Sequence, residues 1–230
     1  MKDYQTIAIA ECFEPLIPIP LEKFVICQPH PYQNLGANYG GKSPYYLREG
    51  VIAALIKSAE KLHQKQPGWK IKIFDAYRPV EVQDFMVKYT FDRVIESQKL
   101  KSEDLSPQER DNIWQQVYQF WAIPSLDPRT PPPHSTGAAI DVTLVNERGQ
   151  TIDMGSEIDE LGARSHPDYY LSSNENRNQK YHERRSLLHE IMKTGGFSRH
   201  PGEWWHFSLG DQMWAKLLNF PTAYYGRIDE

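Results

Sequence analysis

Cysteine is scarce here: Cys12 and Cys27 are the two among 230 residues. Two cannot build a disulfide framework, and neither has a CxxC partner or an adjacent histidine, so buried, unreactive thiols are expected. A basic excess is also missing, with 26 Lys and Arg against 30 Asp and Glu for a net charge of -4. That excludes the basic face needed to hold nucleic acid or an anionic membrane, and the basic residues are scattered apart from Arg184-Arg185. No apolar run approaches the roughly 20 residues of a membrane helix. The opening residues have some apolar character, but Asp3, Glu11, Glu14 and three prolines interrupt it, so no export signal is read and a cytoplasmic location is expected. Internal repeats and low-complexity linkers are absent too. A chain that is 40% hydrophobic and 24% charged suits one globular domain over residues 1–230.

What is present reads as mixed secondary structure. Ser43-Pro44 has the form of a helix start, followed by a stripe of Leu47, Val51, Leu55 and Leu62 that ends at Gly68. Trp69, Ile71 and Ile73 alternate with Lys70 and Lys72, a half-buried strand running into DAYRP. Pro79 opens a second helix with Val82, Phe85, Met86 and Tyr89 inward. Ser106 to Glu109 is a capping box for a third, carrying Ile113, Val117 and Phe120. Residues 138–145 are β-rich, 181–194 are helical up to Gly195-Gly196, and 204–209 form a last strand. Pro29 to Pro44 and Ile123 to Pro133 read as loops. Without a regular βαβ alternation, the expected class is α+β, a central, largely antiparallel sheet packed by helices.

The chemistry concentrates in two separated motifs. His134 and Asp141 lie in PPPHSTGAAID, and Glu203 and His206 in EWWHF. Two imidazoles and one carboxylate are the ligands of a catalytic Zn²⁺ that keeps a position open for water, and a further carboxylate serves as that water's proton acceptor. The bland readings are a capping His134, a hydrogen-bonded Asp141 and an aromatic core strand holding a satisfied His206. An unpaired Asp inside an apolar strand is costly, which favours the metal. Strand parity sets a condition: residues three apart face opposite ways, so Glu203 must sit in a turn made by Pro201-Gly202. Gly137 must likewise permit a sharp bend between His134 and Asp141. Arg78, pinned by Pro79 at a strand end, either stabilises charge on a carbonyl oxygen or makes a structural salt bridge to Asp75.

Taken in order, DAYRP, HSTGAAIDVTL, MGSEID with RSH, and EWWHF resemble the zinc D-alanyl-D-alanine dipeptidases of the VanX type, over residues 75 to 207. The resemblance implies the D-Ala-D-Ala metallopeptidase (hedgehog-like) fold and one Zn²⁺ per chain, on His134, Asp141 and His206. It implies Glu203 as general base and acid, Arg78 on the scissile carbonyl, and Asp159 on the free ammonium of a small dipeptide substrate. A buried carboxylate of that kind rewards a free amine next to the scissile bond and penalises longer chains. The family often has a serine where this chain has Pro132, which leaves the dipeptide's identity open. Tyr32 and Tyr39 both remain candidates for the family's substrate-binding tyrosine. His166 either lines the site or stabilises its loop, and His200, which precedes the Pro-Gly turn, is not read as a ligand. The alternatives are a D,D- or L,D-carboxypeptidase acting on cell-wall peptides and a non-catalytic zinc-binding module.

Overall fold

Alternating β-rich segments can bury one face only by pairing, and here they pair around the strand that carries Asp141. The computed structural model describes residues 2–228. In chain order its elements are β1 (Ala8–Ile9), β2 (Leu16–Pro18), β3 (Val25–Ile26), α1 (Pro31–Asn34), β4 (Tyr46–Arg48), α2 (Glu49–Lys65), β5 (Lys70–Asp75), α3 (Val80–Ser97) and α4 (Pro107–Phe120). Then follow β6 (Ala139–Val145), α5 (Asn176–Gly195), β7 (Ser198–Arg199), β8 (His206–Ser208), α6 (Gln212–Leu217) and β9 (Thr222–Ala223). The main sheet has the order β3-β5-β6-β8-β7; β3 pairs parallel to β5 and the other pairs are antiparallel. The α+β expectation, with a largely antiparallel sheet, holds.

Ile71, Ile73, Ile140, Val142, Leu144 and Phe207 occupy one face of this sheet and pack with Leu55, Leu62, Leu188 and Ile191 of α2 and α5. Each such buried aliphatic side chain contributes about 1.5–3 kcal/mol. The helices meet closely at Gly195, where an added Cβ would lie 2.5 Å from the Ala54 carbonyl oxygen. Asp141 and His206 alternate with the core residues and therefore face the other side. A second cluster, formed by α3, α4, Tyr32, Tyr39 and Trp121, closes one flank of that side.

Three sequence expectations need correction. Residues 46–48 are not the first turn of a helix: they form β4, antiparallel to β2, and α2 starts at Glu49. Buried Arg48 explains the switch, because it reaches the carbonyls of Glu14, Thr136 and Gly226 only from an extended backbone. Helix α5 begins at Asn176, ahead of the expected start at 181. Cys12 is exposed and Cys27 half-buried, so neither is a buried core thiol. The capping box at Ser106 forms as read, Ser106 Oγ accepting from Glu109 N at 3.3 Å while Glu109 accepts from Ser106 N at 2.9 Å. Among the described residues no helix is long and apolar enough to cross a membrane.

Candidate active site

One row across the sheet organises the site. Asp75 of β5 pairs with Asp141 of β6, which pairs with His206 of β8. By simple alternation Asp75 would follow Ile71 and Ile73 to the core face. An irregular step between Ile73 and Asp75 turns it to the same side as Asp141, a bulge re-aiming a side chain. Two carboxylates opposite each other repel. Arg78 answers this directly, its Nη2 lying 2.7 Å from Asp75 Oδ2 and 3.3 Å from Asp141 Oδ2.

His134 comes from a 3-10 turn, Pro133–Thr136, that ends at Gly137 with φ +69°. A Cβ at Gly137 would stand 2.6 Å from Leu16 Cδ1, so both backbone and space select glycine there. The bend delivers His134 to Asp141 and His206, and the three offer ligand atoms all within 4.8 Å of one another. Their tautomers decide what they can hold. His134 Nδ1 sits 2.7 Å from the Ala76 carbonyl, which only accepts, so Nδ1 carries the proton and Nε2 presents a lone pair. That lone pair faces His206 Nδ1 at 3.1 Å and Asp141 Oδ2 at 3.2 Å. His206 Nδ1 is also 3.0 Å from Asp141 Oδ1. A single proton on His206 Nδ1 cannot serve both His134 and Asp141, whereas a cation satisfies all three ligands together. The donor set therefore fits a metal ion. Burial pushes the Asp141 carboxyl up, yet His134 and His206 prevail and hold it far below the usual carboxylate range.

Glu203 lies just after the Pro201-Gly202 turn and before β8, so strand parity does not apply to it. Its Oε2 is 3.9 Å from His206 Nδ1 and 3.9 Å from His200 Nδ1. Burial, then Asp141 and Asp159, raise its carboxyl well above the ordinary range, with Lys2 and Arg78 pulling the other way. Arg78 is buried and almost fully engaged. Nε donates to Asp75 at 2.9 Å, Nη1 to Gln83 at 2.8 Å and Nη2 to Tyr32 Oη at 3.1 Å, with the Tyr32 and Trp121 rings packed on the guanidinium. Gln83 takes one Nη1 proton, and the other has no protein acceptor among the described residues. Arg78 thus pairs with Asp75, as the structural reading expects, and also lines the site.

Asp159 stands at φ +62° and accepts from Tyr32 Oη at 2.8 Å. Its surroundings and Asp141 raise its carboxyl to about 7 against the pull of Arg78 and Tyr32. Tyr32 therefore bridges Arg78 and Asp159, while Tyr39 sits behind, 3.3 Å from Asp75. Pro132 offers no side-chain donor; its carbonyl accepts from Ser135 Oγ at 2.7 Å. His200 lines the cavity with Nδ1 accepting from Gly202 N at 3.1 Å, and the His166 carbonyl accepts from Arg185. Arg78, His134, Asp141, Asp159, Glu203 and His206 all line one cavity with about 540 Å³ of empty space, its solvent opening included. Sequence reasoning named Asp75 as a salt-bridge partner of Arg78, but missed Gln83 and Trp121 around Arg78, and Lys2 and Tyr4, which also line the cavity. None of these four lies in a motif that carried a signal.

A trio of metal ligands with a buried carboxylate and an arginine at its side is the equipment of a metal-dependent hydrolase. The chain matches the D-ala-D-ala dipeptidase model of peptidase family M15 over residues 26–224 and belongs to that family. It is 50% identical to a D-alanyl-D-alanine dipeptidase of Synechocystis sp., covering 100% of this chain and 98% of that one. A D-alanyl-D-alanine dipeptidase of Escherichia coli is 32% identical over 79% of this chain and 78% of its own length. One from Enterococcus faecalis is 25% identical, with 76% of each chain covered. A solved structure of the LdcB LD-carboxypeptidase overlaps 90% of this chain and 74% of its own at 16% identity and a TM-score of 0.44.

Proposed function

We propose that the chain hydrolyses D-alanyl-D-alanine or a closely related D,D-dipeptide, using Zn²⁺ held by His134, Asp141 and His206. The observation that carries this reading is the sharing of one cavity by those ligands, Glu203, Arg78 and Asp159. Two nitrogen ligands and one carboxylate suit zinc with an open position. When bound, such an ion supplies Lewis acidity, making water more acidic and a carbonyl more electrophilic.

The chain's own residues do the rest. Asp159 pairs with the free ammonium of the dipeptide, fixing the scissile bond a set distance away. Glu203 takes a proton from the attacking water and returns it to the leaving nitrogen, a double task suited to a carboxyl raised above its ordinary range. The unengaged Nη1 proton of Arg78 meets the negative charge that grows on the carbonyl oxygen. Because Asp75 and Gln83 already fix the guanidinium, little reorganisation accompanies that charge.

Hydrolysis of the four stereoisomers of Ala-Ala, with and without a chelator, tests the reading. The expected result is cleavage of the D,D isomer above the others, abolished by chelation and restored by Zn²⁺. Cleavage that survives complete metal removal, or no cleavage of any isomer by metal-loaded protein, overturns it.

A further inference from the structure

A free dipeptide is charged at both ends, and Asp159 answers only one of them. The carboxylate belongs to the leaving residue, one carbon from the nitrogen that departs. Glu203 protonates that nitrogen, so the carboxylate must lie on the Glu203 side of the cavity. Arg78 is a poor partner for it: Nε and Nη2 are committed to Asp75, Tyr32 and Asp141, Nη1 gives one proton to Gln83, and the remaining Nη1 proton is the one that meets the carbonyl oxygen. His200 is a weak candidate, because its Nδ1 already accepts from Gly202 N at 3.1 Å and its ring packs against His206.

On that side stand Lys2 and Tyr4, both lining the cavity with His200 and Glu203. Lys2 is partly buried, and among the described residues its ammonium has no hydrogen-bond or ion-pair partner; Glu203 is the carboxylate that acts on it most. Tyr4 is 8% exposed, and its Oη is a buried polar atom without a hydrogen-bond partner. Burial, then Asp211 and Glu203, push its phenol well above the usual tyrosine range, so it stays a donor at any working pH. A cation and a hydroxyl donor, both unpaired beside a general base, lack only an anion.

The segment is held in place from outside the site. Strand β1 pairs parallel to β9, with Ala8 opposite Thr222, and Gln212 Nε2 donates to the Ile7 carbonyl at 2.6 Å. The 3-10 turn Asp3–Thr6 packs on α6, whose Met213 lines the same cavity. Lys2 and Tyr4 precede residue 26, where the match to the family model begins.

We propose that the Lys2 ammonium, with the Tyr4 hydroxyl beside it, binds the α-carboxylate of the leaving residue. The site then measures its substrate from both ends, between Asp159 and Lys2, and selects a free dipeptide over a longer or C-terminally blocked one. This rests on the dipeptidase reading above.

The test compares Lys2→Met, Lys2→Arg and the unaltered chain on D-Ala-D-Ala and on D-Ala-D-Ala amide. With the free dipeptide, Lys2→Met should raise KM roughly tenfold or more and change kcat little, with Lys2→Arg restoring most of the loss. The amide should be a poor substrate for the unaltered chain, and no worse for Lys2→Met. An unchanged KM on the free dipeptide overturns the proposal. So does an equal loss on both substrates, which would mean that Lys2 only tunes Glu203 or supports the fold. If the unaltered chain cleaves neither substrate, the dipeptidase reading itself fails.

Discussion

Two clusters sit side by side on the same row of the sheet and differ in whether their charges close. Around Arg78 nearly every donor has an acceptor. Asp75 receives Arg78, His30 Nε2 at 3.1 Å and Tyr39 Oη at 3.3 Å, and although burial opposes it, Arg78 and His30 keep the carboxyl below its usual range. The His134, Asp141 and His206 cluster is equally buried, yet its inward atoms outnumber the protons available to them. A set that closes on itself is scaffold. One that closes only around an added cation is where a ligand belongs. Arg78 joins the two, because its Nη2 touches both carboxylates.

The contrast breaks most severely at His206. His206→Ala should lose bound metal and reduce turnover to background, since it removes one of the three groups whose ligand atoms lie within 4.8 Å of one another. Glu203→Ala should retain the metal and still lose about 10²–10⁴-fold in kcat, the range for removing a general acid–base. Metal content by elemental analysis beside kcat separates the two. A Glu203→Ala protein with near-normal turnover would remove Glu203 from the mechanism.

The closed cluster should respond in the opposite sense, keeping the metal while losing geometry. Arg78→Lys retains a charge but not the planar fork that serves Asp75, Gln83 and Tyr32 together. The expected loss is about 10²–10³-fold in kcat at unchanged metal content. Asp75→Asn leaves a buried guanidinium short of its counter-charge and should cost roughly 3 kcal/mol of stability, read from urea unfolding. If Asp75→Asn leaves stability unchanged, the cluster is not the scaffold it resembles.

The parts of the fold and site legible in the sequence were those set by local rules. Alternation along 138–145 placed Asp141 on a strand, Gly137 marked the bend before it, and Pro201-Gly202 marked the turn that frees Glu203 from strand parity. The capping box located α4 within a residue. Pairings between distant segments were not legible. Ser43-Pro44 has helix-start chemistry, but β2 claims residues 46–48, some thirty positions away in sequence, as a strand. The bulge that turns Asp75 toward Asp141 is a property of the β5–β6 register, and no residue between Ile73 and Asp75 announces it. Lys2 and Tyr4 reach the site only because β1 finds β9 near the other end of the chain. DAYRP could therefore be read as an arginine motif with Asp75 as a salt-bridge partner, but not as a row that also brings Asp75 against Asp141.

The smallest expected effect lies where the two clusters meet the substrate's amine. Asp159 hangs from Tyr32, itself held by Arg78, so it belongs to the closed cluster by its hydrogen bonds and to the open one by its position. Burial and Asp141 raise its carboxyl to about 7, so it gains a proton as pH falls through that value and loses the charge that holds an ammonium. The substrate's α-amine loses its own charge above about 8. Binding should therefore be tightest between about 7 and 8 and weaken on the acid side through Asp159. In Asp159→Asn the dipeptide KM should rise roughly tenfold near pH 7.5, and its rise toward acid should flatten, while kcat moves less. An acid limb in KM that persists unchanged in Asp159→Asn assigns the titration to another group and takes the ammonium away from Asp159.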